Sequence, residues 1–235
     1  MRTFPVIETF GPTVQGEGPA AGLPCAFVRF GGCDYRCEWC DSMHAVDPQQ
    51  VRANAEHLDA EAIADRATSA PLVILSGGNP ALLALEPRVE LLHARGQEVH
   101  VETQGSRWRP WLASVDRLIV SPKPPSSAMV NAKHDLERRG FLAAAQDAGA
   151  WDSIACKIVV RDEVDLTWAR GVLADAPAAF RWAGLSCYTD PEDTVESLAA
   201  RYRWLIEAAL EHRDLARVSV LPQLHVVAFG HALGV

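Results

Sequence analysis

The chain reads as a single-domain α/β protein on a largely parallel sheet, and three features of the sequence predict it. Short, nearly continuous apolar runs alternate with stretches whose apolar residues recur at helical spacing, as in strands buried on both faces and joined by helices. A length of 235 residues at 49% hydrophobic content suffices for one core and excludes disordered and fibrous classes. Glycine-rich and polar motifs follow the apolar runs, and the C-terminal strand ends are where open sheets and barrels, complete or partial, place their chemistry.

Residues 26–30, 72–75, 99–101, 117–120, 154–160 and 180–185 are the expected strands. Residues 59–68, 82–95, 135–149, 162–174 and 193–213 are the expected helices, several opened by Asp and one closed at Gly96. The proline-rich stretch 122–131 reads as a stiff loop after the fourth strand, too short to link domains. Residues 217–235 carry a further apolar run, expected to fold back towards the active site as a last strand within one domain of residues 1–235.

A formal net charge of −8 argues against a polyanion-binding surface, so nucleic acid is not an expected direct partner. No stretch approaches a membrane span, and the start Met-Arg-Thr-Phe-Pro-Val-Ile lacks the pattern of a secretory signal. Six cysteines, three of them crowded together, do not make a disulfide framework. A reducing, cytoplasmic location is expected.

The crowded three form Cys33-Asp34-Tyr35-Arg36-Cys37-Glu38-Trp39-Cys40, directly after the first apolar strand. Three thiolates suit a four-iron, four-sulfur (4Fe-4S) cluster that keeps one iron open for another ligand. Spacing alone also allows a structural zinc site in which His44 completes a Cys3His set. Further along, Ser76-Gly77-Gly78-Asn79-Pro80 is either a plain βα turn or a place where a ligand approaches backbone. Glu102-Thr103-Gln104-Gly105 and Ser121-Pro122-Lys123 end the next two strands, so a carboxylate, hydroxyls, an amide and an ammonium converge on a predicted pocket. Thr13-Val14-Gln15-Gly16-Glu17-Gly18 reads on its own as a solvated turn. Arg29 interrupts its apolar strand as a snorkelling edge residue or a carboxylate clamp, and Asp41-Ser42 offer oxygen ligands suited to magnesium. Cys25, Cys156 and Cys187 read as small buried hydrophobes, and His225 as an ordinary core or surface histidine.

Together these motifs, with residues 8–18, 32–35, 37–42, 76–81, 102–105, 121–127 and Leu221-Pro222-Gln223-Leu224-His225, resemble the 7-carboxy-7-deazaguanine synthase family of radical S-adenosylmethionine (SAM) enzymes nearly end to end. The resemblance implies a partial (β/α) TIM-type barrel, a homodimer, and ring contraction of 6-carboxy-5,6,7,8-tetrahydropterin to 7-carboxy-7-deazaguanine with loss of ammonia, on the way to queuosine and other 7-deazapurines. It further implies that a reduced cluster cleaves SAM to a deoxyadenosyl radical, that SAM is regenerated, and that a flavodoxin or similar small donor supplies the electron. By the same resemblance Cys33, Cys37 and Cys40 hold the cluster. Trp39, Gly78, Asn79, Thr103, Ser121, Pro122 and Lys123 are expected at SAM, Asn79 departing from the Gly-Gly-Glu found in many radical SAM proteins. Val14, Gln15, Gly16, Arg29 and Ser76 are expected at the substrate, with Glu17, Glu102 and His225 as further pocket candidates, and Ser42 is expected at magnesium. Two other functions share parts of the pattern, a radical SAM activase acting on a protein and a non-enzymatic zinc-binding module.

In the family the terminal carboxylate helps to bind substrate, which gives Val235 an expected role. A C-terminal tag is therefore expected to weaken activity and an N-terminal tag to leave it intact; equal rates from the two tagged forms would remove that role.

Overall fold

The structure, a computed structural model, describes residues 3–67, 70–175 and 180–234. Residue 68 of the expected helix 59–68, and Val235, lie outside the described residues. Nine strands, β1 (Phe4–Val14), β2 (Pro24–Phe30), β3 (Glu56–Leu58), β4 (Leu72–Gly77), β5 (Glu98–Thr103), β6 (Arg117–Val120), β7 (Ile154–Val160), β8 (Trp182–Cys187) and β9 (Ser219–Leu221), form one sheet in the order β3-β1-β2-β4-β5-β6-β7-β8-β9. From β2 to β9 all neighbours are parallel, while β1 runs antiparallel to both β2 and β3. The sheet is open, edged by β3 and β9, as a partial barrel requires.

Helices α1 (Met43–Val46), α2 (Pro48–Asn54) and α3 (Ala60–Arg66) fill the stretch between β2 and β4 together with β3. Thereafter α4 (Glu86–Ala94) precedes β5, α5 (Ala132–Asp147) precedes β7, α6 (Glu163–Asp175) precedes β8, α7 (Val195–Leu210) precedes β9, and α8 (Leu224–Phe229) follows it. Side chains of Asp47, Asp59, Asn131 and Thr194 cap α2, α3, α5 and α7 by accepting backbone N–H groups of the first turn. The expected helix 82–95 is shorter than its pattern: Pro80–Leu82 is a 3-10 turn and α4 starts at Glu86, with Pro87 in its first turn. Proline lacks the N–H that an earlier start would need. The expected strand within 217–235 is β9, three residues long.

Strand parity sorts the two faces. Val28 and Phe30 of β2, Val73 and Leu75 of β4, and Val99 and Val101 of β5 join the main core beneath the helices, while Cys156, Ile158 and Val160 of β7 join a second core beneath α6 and α7. The alternate positions face the other way, because successive strand side chains point to opposite sides. On that concave side Cys25, Leu72 and Ile74 pack with Ala20, and beyond them come Arg29, Ser76, Glu102 and Lys157.

At the junction of β2 and β4, backbone touches backbone. Phe30 pairs with Gly77 in register, Gly78 N–H donates to Phe30 O at 3.0 Å, and Asn79 N–H donates to Gly32 O at 2.8 Å. Gly77 has φ +126°, and a Cβ placed on it would lie 2.1 Å from Phe30 O; one on Gly78 would lie 2.1 Å from Gly32 O. The two glycines thus admit the cysteine-bearing strand end itself. Gly77→Ala is expected to destabilise the fold by about 3 kcal/mol or more, read as a shift of the urea midpoint; an unchanged midpoint would mean that the junction relaxes freely.

Candidate active site

Beyond Gly32 the cysteine loop is tied down on both sides. Asp34 accepts from Asn79 Nδ2 at 2.9 Å and Gln104 Nε2 at 2.6 Å through one oxygen, and from Ser106 Oγ at 2.7 Å through the other. On the far side Glu38 N–H donates to Ser127 O at 3.0 Å and Trp39 Nε1 to Ser126 Oγ at 3.0 Å. Ser126 is itself held by the buried Asp165 of α6, through Oγ at 2.6 Å and N–H at 2.9 Å. Tyr35 stacks on His134 with ring centroids 4.1 Å apart. A loop without regular structure is thereby fixed by the ends of β4, β5 and β6.

Cys33, Cys37 and Cys40 are free and line one wall of a cavity of about 570 Å³. Burial pushes all three thiols above the ordinary range, with Lys123 opposing it. Three soft donors at the lip of a large cavity fit a cluster that leaves one iron open. The zinc alternative lacks its expected fourth ligand, because His44 Nε2 lies 3.3 Å from Glu8 Oε1 and is engaged with that carboxylate.

The same cavity is lined by Val14, Gln15, Gly16, Glu17, Arg29, Trp39, Ser42, Ser76, Gly78, Glu102, Thr103, Ser121, Lys123 and His225, so the structure gathers nearly all the expected site residues. Two stand apart. Asn79 donates to Asp34 and, at 3.1 Å, to Ser106, and its carbonyl accepts from Thr103 Oγ1 at 2.8 Å and Ala81 N–H at 3.2 Å, so its amide is spent on the loop anchor. Pro122 lines a small cleft behind Lys123 instead of the main cavity.

The floor is charged. Lys157 Nζ lies 2.6 Å from Glu17 Oε2 and 3.9 Å from Glu102 Oε1. Glu102 also accepts from Ser76 Oγ at 2.8 Å and Gln15 Nε2 at 3.1 Å. Burial pushes the Glu102 carboxyl up, but Lys157, Ser76, Gln15 and Arg29 outweigh it and hold it below its ordinary 4.5. For Lys157 burial works against the charge, and Glu17 and Glu102 more than restore it, so the ammonium is held above its ordinary range. Arg29 is a clamp already closed within the protein: Nε meets Glu8 Oε1 at 2.5 Å and Nη1 donates to Ser42 Oγ at 2.7 Å. Asp41, pushed up by burial, is brought below its usual range by Arg29, Lys123 and the Ser42 hydroxyl.

The expected turn at 13–18 is the end of the long strand β1 and the segment after it, stitched to the C-terminal part of the chain. Leu224 N–H donates to Gly16 O at 3.0 Å, and a Cβ on Gly16 would lie 2.0 Å from His225 Nδ1. Gln104, whose amide was expected at the pocket, lines the cavity, whereas Glu8 and Lys157 were not expected at the site; a lysine inside the otherwise apolar strand 154–160 was the one signal for Lys157.

An open parallel sheet whose first parallel strand delivers a three-cysteine loop to a deep cavity at the strand ends is the arrangement of a radical SAM enzyme. Among solved structures the chain resembles QueE from Escherichia coli, with a TM-score of 0.67, 22% identity and 95% of each chain covered. It also resembles Streptococcus suis SuiB bound to precursor peptide SuiA, with a TM-score of 0.55 and 9% identity over 83% of this chain and 48% of that one. No family model matches the chain. A 7-carboxy-7-deazaguanine synthase of Bacillus cereus is 37% identical over 244 residues, covering 100% of both chains, and one of Bacillus subtilis is 35% identical over 100% of this chain and 99% of its own. The chain belongs to the 7-carboxy-7-deazaguanine synthase family.

Because Glu102 titrates below its ordinary value in the folded protein, its ionised form contributes stability that is complete above pH 4.5 and is lost as pH falls through the folded pKa. Glu102→Gln is expected to lower the urea midpoint at pH 7, with the gap to wild type closing below pH 4.5. A gap independent of pH would refute that account.

Proposed function

We propose that this chain converts 6-carboxy-5,6,7,8-tetrahydropterin to 7-carboxy-7-deazaguanine with release of ammonia, as a carbon–nitrogen lyase in queuosine and 7-deazapurine biosynthesis. The observation that carries this reading is full-length kinship at 37% identity with a synthase of that name, in a chain whose cysteine loop and charged floor share one cavity.

Cys33, Cys37 and Cys40 hold the 4Fe-4S cluster, and Trp39, Gly78, Thr103, Ser121 and Lys123 surround SAM. When bound, the cluster and SAM supply reversible removal of a hydrogen atom from the substrate, which the protein cannot supply itself. The chain's own residues bind, orient and exclude water. Lys123 Nζ, 3.2 Å from Ser121 Oγ, sets a cation beside a hydroxyl for a carboxylate or ribose. Gly78 offers backbone, and Asn79 acts through the Asp34 anchor. On the opposite floor Glu17 and Glu102 accept from N–H groups of the pterin, with Gln15, Gly16, Ser76 and His225 around them. Arg29 meets the substrate carboxylate by exchanging or sharing its Glu8 partner. Ser42 with Asp41 provides oxygens for magnesium, which takes the hydroxyl that Arg29 now holds. Asn79, Pro122 and Arg29 thus support the ligands from behind as much as they touch them.

A flavodoxin-like donor, a homodimer and a cytoplasmic location complete the reading. No helix among the described residues is long and apolar enough to cross a membrane.

Anaerobically reconstituted protein given SAM, a low-potential reductant, magnesium and the pterin is expected to form 7-carboxy-7-deazaguanine over many turnovers without matching SAM loss, as read by mass spectrometry. Cys37→Ala is expected to abolish the product. Cluster-loaded protein that cleaves SAM yet leaves the pterin unchanged would defeat the assignment.

A further inference from the structure

Lys157 sits where its strand has no structural need of a charge. All seven residues of β7 are buried, and the other six are Ile, Ala, Cys, Ile, Val and Val. Its ammonium meets Glu17 Oε2 at 2.6 Å and stands 3.9 Å from Glu102 Oε1. The protein's remaining donors on the floor are also committed to the same two residues. Gln15 Nε2 and Ser76 Oγ serve Glu102, and the Gln15 carbonyl accepts the Glu17 N–H at 3.3 Å. Glu17 Oε1 is left buried without a donor among the described residues, although Glu17 lines the cavity.

Two carboxylates against one ammonium leave a floor that is acceptor-rich and negative by one unit. A buried carboxylate oxygen left unpaired is costly, and a ligand that donates to it recovers that cost. We infer that Lys157 is a positioning residue that sets substrate specificity: it keeps Glu17 and Glu102 together as charged acceptors, so that the floor selects the N–H-rich edge of the substrate, its 2-amino group and adjacent ring N–H. The inference rests on the pterin assignment and adds to it a residue that acts through the two carboxylates.

The other groups around this trio leave Lys157 as its counter-ion. Arg29 of β2 is paired with Glu8, Cys25 of β2 is a neutral thiol pushed up to about 12, and Asp41 beyond Cys40 and His225 of α8 line the cavity further out. Without the ammonium, two neighbouring buried carboxylates cannot both stay ionised at neutral pH, and the proton that one takes up turns an acceptor into a donor.

Lys157→Met is expected to weaken pterin binding at least tenfold at pH 7 in anaerobic calorimetry of the cluster-loaded protein, with affinity recovering as pH rises to 9, whereas wild-type affinity stays flat over that range. SAM binding, read from the change it causes in the electron paramagnetic resonance of the reduced cluster, is expected to be unaltered. K157R is expected to restore part of the affinity and the flat profile. The double variant K157M/E17Q keeps the wild-type net charge of the floor and so guards against misfolding of the single one; weak binding that no longer varies with pH is expected. Wild-type affinity in K157M, or pterin and SAM binding failing together, overturns the inference alone. Wild-type protein that binds no pterin overturns the functional reading as well, and wild type that binds without turnover overturns only the reaction.

Discussion

The backbone contact between the ends of β2 and β4 governs the rest of the site. Gly78 N–H and Asn79 N–H extend the ladder past the last strand residues to Phe30 O and Gly32 O, and Cys33 follows at once. The first cysteine is therefore placed by main-chain hydrogen bonds, which side-chain motion does not loosen. Such a continuation needs two residues without Cβ atoms on the β4 side, and Gly77-Gly78 supplies them. Once the loop starts there, Asp34 falls within reach of Asn79, Gln104 and Ser106, and the turns after β4 and β5 become part of one support. This explains Asn79 where glutamate is common: a neutral amide donates to Asp34 and accepts from Thr103 simultaneously, whereas a carboxylate there has no N–H to donate and would face Asp34 with like charge.

A second constraint is electrostatic. The concave face collects Arg29, Glu102 and Lys157 from strands whose other face is hydrocarbon, and each buried ion carries a desolvation cost of several kcal/mol that only good pairing offsets. Parallel register brings the partners together without long loops. Arg29 lies beside Ser76 in the β2–β4 ladder, Ser76 reaches Glu102 on β5, and Lys157 approaches Glu102 from β7. Packed apolar residues would serve stability at least as well, so the retention of charges here points to what the cavity binds.

Much of this was legible in the residues. The β/α alternation marks buried parallel strands, and motifs at their C-terminal ends map onto the cavity wall from Cys33 to Lys123. What escaped had physical causes. β1 is an antiparallel strand, second from the edge of the sheet, broken by Gly11-Pro12 and by register shifts, so it lacks the continuous apolar run that identified its neighbours. Its far end therefore read as a turn, although Gln15 and Glu17 belong to the cavity floor. Glu8 carries no local signal, since its role is visible only when antiparallel pairing sets it beside Arg29. Lys157 did break a pattern, yet a single lysine in an apolar run does not say which carboxylates face it. Arg29 was legible as a clamp, but its occupation by Glu8 and Ser42 depends on tertiary contacts.

The open sheet still has to enclose its cavity, and the two ends of the chain do so together. A closed barrel would pair its last strand with its first; here β9 is a short edge, and β1 lies at the opposite side of the sheet. The gap is bridged by irregular segments. The 3-10 turn Gly18–Ala20 lies against β7 and β8, Gly16 holds Leu224 and accommodates His225, Gln223 accepts from Thr189 Oγ1 at 2.8 Å, and His231 Nε2 lies 3.1 Å from Asp190 O. Because these bonds join loops, the far wall is free of the strand ladder that makes the cysteine wall rigid. One wall of the cavity is thus set by main-chain ladders and the other by contacts between loops and the start of α8. The charged trio of Glu17, Glu102 and Lys157 lies where the two meet, with Glu17 on the loop side and the other two on strands.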